Sequence, residues 1–310
     1  MPYAKTRWWH ANKYTPVPTQ TVNWLKSKNL IPLHSDNEKL PLIAKVLGTT
    51  FGDGGIFANL NGIFLSSSEL EAVKEFGEDL KLIFGNEIDS NSRIIEAGVY
   101  SHSWCYQNTN RNIIRLFQAL GAPIGRKSNF NTEVKVSEWI FLSNKTIQDE
   151  FFGSIFGGEL GTPTIHKEQN RLTSLDIGMQ IVFNKREKAE NYLNQIASYL
   201  NSKGIKTGSI YSYLPDNESI LLRLQISTQI ENYYNFTKNI KLNYCKYKCL
   251  KLKDALTKFI EIKRKKYNEL LVRGYNKDHI LKLFNVSENF SGFLNLISLP
   301  EVKEFPEKSQ

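Results

Sequence analysis

Apolar residues recur at helical spacing over residues 40–50 and stop at Phe51-Gly52-Asp53-Gly54-Gly55, where the glycines mark a helix end. The spacing then changes to that of strands, predicted over 55–60 and 62–66 with a turn near Asn61-Gly62. Residues 68–84 return to helical spacing, with Ser68 as the expected N-cap, Glu71 three residues on in a capping-box arrangement, and Gly85 as the stop. Strands over 93–101 and 103–109 and a helix over 112–120, ended by Gly121, complete an αββαββα unit. The same order follows again. A helix over 146–156 ends at Gly157-Gly158-Glu159, and strands are predicted over 162–167 and 174–183. A helix over 188–202 closed by Gly204, strands over 207–214 and 220–228, and a helix over 230–240 finish the second unit. Repetition at this length means a duplicated domain, not a solenoid.

The two units are not in constant register. Asp53 and Glu159 are 106 positions apart, whereas Gly85 and Gly204, and likewise Lys127 and Lys246, are 119 apart. One longer hairpin around residues 167–171 accounts for the difference, and loops tolerate such insertions. The predicted organisation is an N-terminal extension (1–39) with a small helix over 21–30, a first half (40–140), a second half (141–252) and a basic helical extension (253–310). In the last, helices over 251–272, 277–284 and 290–299 around Gly274 suggest either a helix-turn-helix module or a cap on the core.

Composition adds a partner class. The 310 residues carry 40 basic and 31 acidic side chains, a net charge of +9, with the excess concentrated after residue 240. That balance fits a phosphate-backbone partner, or a general lysine bias. No apolar run approaches the roughly 18 residues that span a bilayer, and the start of the chain has no apolar signal region, so an intracellular protein without a membrane role is expected. Cys105, Cys245 and Cys249 do not make a disulfide framework, and neither they nor the five histidines have zinc spacing. The ends of the chain, Met1 and Lys308-Ser309-Gln310, show no splicing residues, which favours a free-standing protein.

The chemistry lies where each unit begins. The stretch LGTTFGDG starting at Leu47 and the stretch FGSIFGGE starting at Phe152 each place an acid, Asp53 or Glu159, five residues after a small residue, Gly48 or Ser154. Gly48 and Gly52, like Ser154 and Gly158, are four apart and share a helix face. Such faces let two helices approach closely and bring the acids at their ends together.

The pair of motifs resembles the two LAGLIDADG motifs of single-chain homing endonucleases. The stretch 120–127 (LGAPIGRK), the stretch 136–140 (VSEWI) and residues 239–246 (NIKLNYCK) are similar to further segments of archaeal members, with Ser137 in place of the usual proline. The resemblance covers residues 40–255. It implies an α+β protein of two pseudo-symmetric αββαββα halves whose motif helices form the interface and whose antiparallel sheets bind DNA. It implies a monomer that cuts a long, specific double-stranded DNA target, as in intron homing, and leaves 3′ overhangs. It assigns Asp53 and Glu159 to a divalent metal, Mg²⁺ or Mn²⁺/Ca²⁺ in the same site. Leu160 and Gly157 depart from the second motif's usual residues. The alternatives are a member without cleavage activity, acting as an RNA splicing maturase or a DNA-binding regulator, and a structural protein.

Other candidates come from the residues themselves. Lys127 and Lys246, matched by the duplication, are expected to stabilise charge on the phosphate. Alternation in the second half puts Arg223, Gln225 and Ser227 on one strand face, and Ser174, Asp176 and Gln180 on one side of an earlier strand. Gln107 and Thr109 are the first-half candidates, with Arg pairing with guanine and Gln with adenine in a major groove. Arg126 and the cluster Lys263-Arg264-Lys265-Lys266 are candidate DNA contacts, the cluster to phosphates. Each also has a plain reading as a solvated surface.

Overall fold

The computed structural model describes residues 19–97, 102–127, 134–166, 171–173, 175–214 and 219–284. In chain order, α1 (Thr19–Ser27) precedes α2 (Leu40–Thr49), β1 (Gly54–Ile56), β2 (Ile63–Ser67), α3 (Leu70–Phe84), β3 (Ser92–Ala97), β4 (Ser103–Asn108) and α4 (Arg111–Ala119). After α5 (Glu138–Leu142) come α6 (Lys145–Glu159), β5 (Ile165–His166), β6 (Arg171–Leu172), β7 (Asp176–Val182) and α7 (Arg186–Ser202). The chain continues with β8 (Thr207–Tyr213), β9 (Ser219–Ile226), α8 (Ile230–Asn239), α9 (Lys246–Val272) and α10 (Lys277–Leu283). The fold is α+β.

Helices α2 and α6 make the most extensive helix–helix contact, because their facing residues have almost no side chain. A Cβ on Gly48 would stand 2.2 Å from the Phe151 carbonyl oxygen, and one on Gly158 would stand 2.9 Å from the Asp53 amide nitrogen. Away from that line both helices are apolar: Ile43, Val46 and Leu47 on α2 and Phe151, Phe152 and Ile155 on α6 are buried. Burying such side chains stabilises by roughly 1.5–3 kcal/mol each.

The first sheet has strand order β1-β2-β4-β3, antiparallel throughout, with Phe64 opposite Gln107 and Gln107 opposite Arg93. Helix α3 covers its inner face with Val73, Phe76 and Leu80. The second sheet has order β7-β9-β8, and α7 packs on it through Leu193, Ile196 and Leu200. Strand β9 alternates strictly between half-buried and buried residues, as the sequence predicts.

Several expectations are corrected. Ser68 does not cap α3: the helix starts at Leu70 behind Glu69, whose amide donates to Ser67 Oγ at 3.1 Å. The hairpin expected around residues 167–171 has its flanking strands, β5 and β6, paired antiparallel, but as a ribbon separate from the second sheet, while Leu160 bridges directly to Ile177 of β7. Within the predicted N-terminal extension, α1 docks on the first half: Leu25 and Leu30 are fully buried and Trp24 stacks on Phe84 at 5.6 Å. The tail helix starts at Lys246, so α9 runs unbroken across the expected boundary at 252–253. The first half of α9 is packed, with Leu252, Leu256 and Phe259 buried. The predicted helix over 290–299 lies outside the described residues. Among the described residues no helix is long and apolar enough to cross a membrane.

A buried polar cluster ties distant parts of the chain together. Tyr244, just before α9, donates from its hydroxyl to Asp79 on α3, and Lys45 on α2 pairs with Asp79 at 2.7 Å. Next to it, Asn243 donates to the Glu150 carbonyl at 2.9 Å and to Ser154 Oγ at 3.2 Å, gripping α6. One short connector thus touches both central helices.

Candidate active site

Asp53 and Glu159 enter the same cleft because each stands at the end of one central helix. Thr49 and Thr50 turn their hydroxyls back onto the Val46 and Leu47 carbonyls, and the Gly52 amide bonds to the Thr49 carbonyl at 3.0 Å, tightening the last turn of α2. Asp53 follows, exposed, and its carbonyl accepts from the Ser66 amide at 3.3 Å. On α6, Glu159 is the last helical residue, and Gly161 beyond it donates to the Asp176 carbonyl at 3.0 Å. The cleft has a volume of about 660 Å³ and also receives Arg126, Lys127, Phe57, Phe64, Met179 and Tyr192.

The environments of the two acids differ. Burial raises the Glu159 pKa above the carboxylate range, and the Asp53 charge adds to the rise, against the opposing pull of Lys127 and Lys248. Burial lowers the Lys127 pKa, although both acids favour its charged form. Tyr192 stacks on Phe51 at 6.0 Å, and its hydroxyl is buried without a hydrogen-bond partner. Burial first and the Glu159 charge second push that phenol far above its usual range, so it stays protonated.

Lys127 reaches the site through the segment after α4. Ser137 Oγ and Trp139 Nε1 both donate to the Leu120 carbonyl, at 2.9 and 3.0 Å, and Gly125 donates to Ile56 at 2.8 Å. Ser137, the residue that replaces a proline in the resemblance, therefore holds the turn itself. Lys127 Nζ then donates to the Gly54 carbonyl at 3.3 Å, beside Asp53. Its second-half counterpart in space is not Lys246, which is exposed at the first residue of α9. Lys248, two residues on, donates from Nζ to the Gly158 carbonyl, beside Glu159. A constant count between halves missed it.

The remaining candidates are spread over both sheets and the tail. Asp176 and Arg223 pair with each other at 2.5 Å on the polar face of the second sheet, with Gln225 opposite Asp176. Gln180 is exposed on the same strand and bonds to Ser219 at 2.8 Å. Ser227 lies beyond the end of β9, its amide bonded to the Lys206 carbonyl, and Ser174 is outside the described residues. In the first half, Gln107 accepts two bonds from Arg93, which sequence reasoning missed, and Thr109 closes onto Asn91 at 2.9 Å. The lysine cluster lies on α9 with unequal exposure. Lys263 lies between the Phe259 and Phe284 rings at 5.0 and 5.2 Å, Arg264 is half-buried, and Lys265 and Lys266 are exposed.

Among the described residues no group of three or more His, Cys, Asp or Glu side chains gathers. The donors at the cleft are two carboxylates, both oxygen ligands, which suits a hard divalent cation that keeps water or phosphate in the rest of its shell. The residues fit that group.

No family model matches the chain. It is 31% identical over 159 residues to the DNA-directed RNA polymerase subunit Rpo1N of Methanocaldococcus jannaschii, covering 46% of this chain and 11% of that protein. It is 26% identical over 295 residues to the tRNA-splicing ligase RtcB of the same organism, covering 87% of this chain and 30% of the ligase. The chain thus spans less than a third of the length of these relatives. A solved structure of mesophilic variants of the homing endonuclease I-DmoI aligns over 70% of this chain and 100% of its own, with a TM-score of 0.45 and 16% identity.

Proposed function

We propose that this chain is a divalent-metal-dependent endonuclease that lays duplex DNA across its two sheets and hydrolyses phosphodiester bonds beside Asp53 and Glu159. The observation that carries this reading is the glycine contact between α2 and α6, which sends two carboxylates from separate helices into one cleft flanked by antiparallel sheets. Asp53 and Glu159 hold the cation, Mg²⁺ or Mn²⁺/Ca²⁺ in the same place. When bound, it supplies an activated water and neutralises charge on the leaving oxygen. Lys127 and Lys248 place ammonium groups on carbonyls next to the two acids and stabilise charge on the phosphate. The finer reading is a monomer of two pseudo-symmetric halves that cuts both strands of a long, specific target and leaves 3′ overhangs, in the manner of a homing endonuclease.

The relatives support a module of this kind. Their names, an RNA polymerase subunit and an RNA ligase, share no activity, and this chain corresponds to only 11% and 30% of them. What they have in common with it is a segment carried by unrelated proteins, which is how a DNA element that inserts into genes would be distributed.

The test is incubation with a random-sequence duplex library and Mg²⁺, comparing the native chain with Asp53→Asn and Glu159→Gln. Cutting by the native chain that is lost in both variants is the expected result. Undiminished cutting in either variant removes that acid from the mechanism, and retention of duplex with no cutting by the native chain favours the non-cleaving alternative.

A further inference from the structure

The first sheet carries a second cleft, of about 450 Å³, which shares Phe57 and Ala58 with the cleft of the two acids and is lined further by Arg93, Gln107 and Thr109. Arg93 is exposed on β3, directly across from Gln107 on β4. Its Nε and Nη2 both donate to Gln107 Oε1, at 3.0 and 2.8 Å. The other end of the glutamine amide is also engaged, with Nε2 donating to Cys105 Sγ at 3.6 Å. Among the described residues Arg93 forms no ion pair, unlike Arg223, whose charge is met by Asp176.

These contacts divide the guanidinium into two edges. The side edge, Nε with one Nη2 hydrogen, is spent on Gln107, which fixes the plane of the group. The end edge, Nη1 with the remaining Nη2 hydrogen, carries two parallel donors that make none of these bonds, on a residue that is itself exposed. Guanine is the base that presents two acceptors, O6 and N7, on its major-groove edge, and an arginine fork matches them. A glutamine reads adenine only by offering its oxygen and its amide nitrogen together, and the Gln107 oxygen already accepts two bonds from Arg93. The structure assigns Arg93 as the residue that reads a guanine in duplex DNA on the first sheet, with Gln107 as the positioning residue that holds its fork. The assignment rests on the nuclease reading, and it replaces Gln107 as an adenine reader.

The experiment is selection of retained duplexes from a random-sequence library without divalent cation, so that binding is read apart from cutting, followed by sequencing. The native chain, Arg93→Ala, Arg93→Lys and Gln107→Ala are compared, with the thermal midpoint of each as the folding control. The native chain is expected to enrich guanine at one position. Arg93→Ala loses that preference, about ten- to a hundredfold by the worth of a bidentate pair, while preferences elsewhere remain. Arg93→Lys keeps the charge but not the fork and loses most of it, and Gln107→Ala weakens it several-fold. Unchanged guanine preference in folded Arg93→Ala overturns the assignment alone, as does an adenine preference that disappears in Gln107→Ala. Failure of the native chain to retain any duplex overturns the nuclease reading as well.

Discussion

The two acids at the cleft occupy corresponding places in their motifs and very different surroundings. Asp53 is exposed at the end of a tightened turn, whereas Glu159 is half-buried, has its pKa raised by burial and has the orphaned Tyr192 hydroxyl for company. Two similar motifs therefore bring their acids to one cleft without giving them the same energetics. The partners differ in the same way: Lys127 arrives from a loop held on β1, and Lys248 from the first turn of a long helix. The asymmetry predicts that the two sides of the site respond differently to substitution.

The largest effect is expected at the acids. On the proposed function, Asp53→Asn and Glu159→Gln each lower the cutting rate by roughly a thousandfold or more, since each would remove a charged ligand of the cation. Stability separates them. A carboxylate whose folded pKa is raised contributes stability below its unfolded pKa and loses it as pH rises through the folded value. Ionising Glu159 in the fold is therefore a cost, and where it is ionised Glu159→Gln melts at a higher temperature than the native chain, while Asp53→Asn, at an exposed position, shifts little. Calorimetry checks this, and equal shifts for both variants would erase the contrast.

Next come the lysines. Lys127→Met and Lys248→Met each slow single-turnover cutting by about a hundredfold, the usual loss for a charge-stabilising donor, and Lys246→Met leaves it unchanged. A strong effect at Lys246 would restore the constant register between halves. Along the helix contact, Gly48→Ala drives a methyl into the Phe151 carbonyl and costs about 3 kcal/mol by denaturant titration. Gly52→Ala, whose Cβ would stand 3.4 Å from Gly158, costs much less. Tyr192→Phe removes the unpartnered hydroxyl and gains about 1 kcal/mol, the desolvation cost of an unsatisfied group. The smallest effect is at Ser68, where alanine changes stability by less than about 0.5 kcal/mol because no cap is formed there.

What could be read from the sequence follows from the range of the forces involved. The central helices, the order of elements and the two acids were legible because periodicity and glycine spacing are local signals. The Arg93–Gln107 fork was not, since it depends on strand register between residues 14 positions apart, and a slip of one position would separate the two side chains. Lys248 was hidden by counting at a fixed offset through a region where the halves differ in length. The docking of α1 was missed because a nine-residue helix has too few positions to show which neighbour buries it. Ser68 shows the opposite error, a local pattern that the backbone did not use.

The Tyr244 hook has a consequence for how the chain is made. Asp79 lies in the first half, but the phenol that donates to it comes 165 residues later, beyond the last strand of the second sheet. A nascent chain that has completed only its first half leaves that buried carboxylate with Lys45 alone, and full closure waits until the ribosome has passed the start of α9. Synthesis of the N-terminal portion by itself would leave Asp79 without the phenol that caps it in the finished fold.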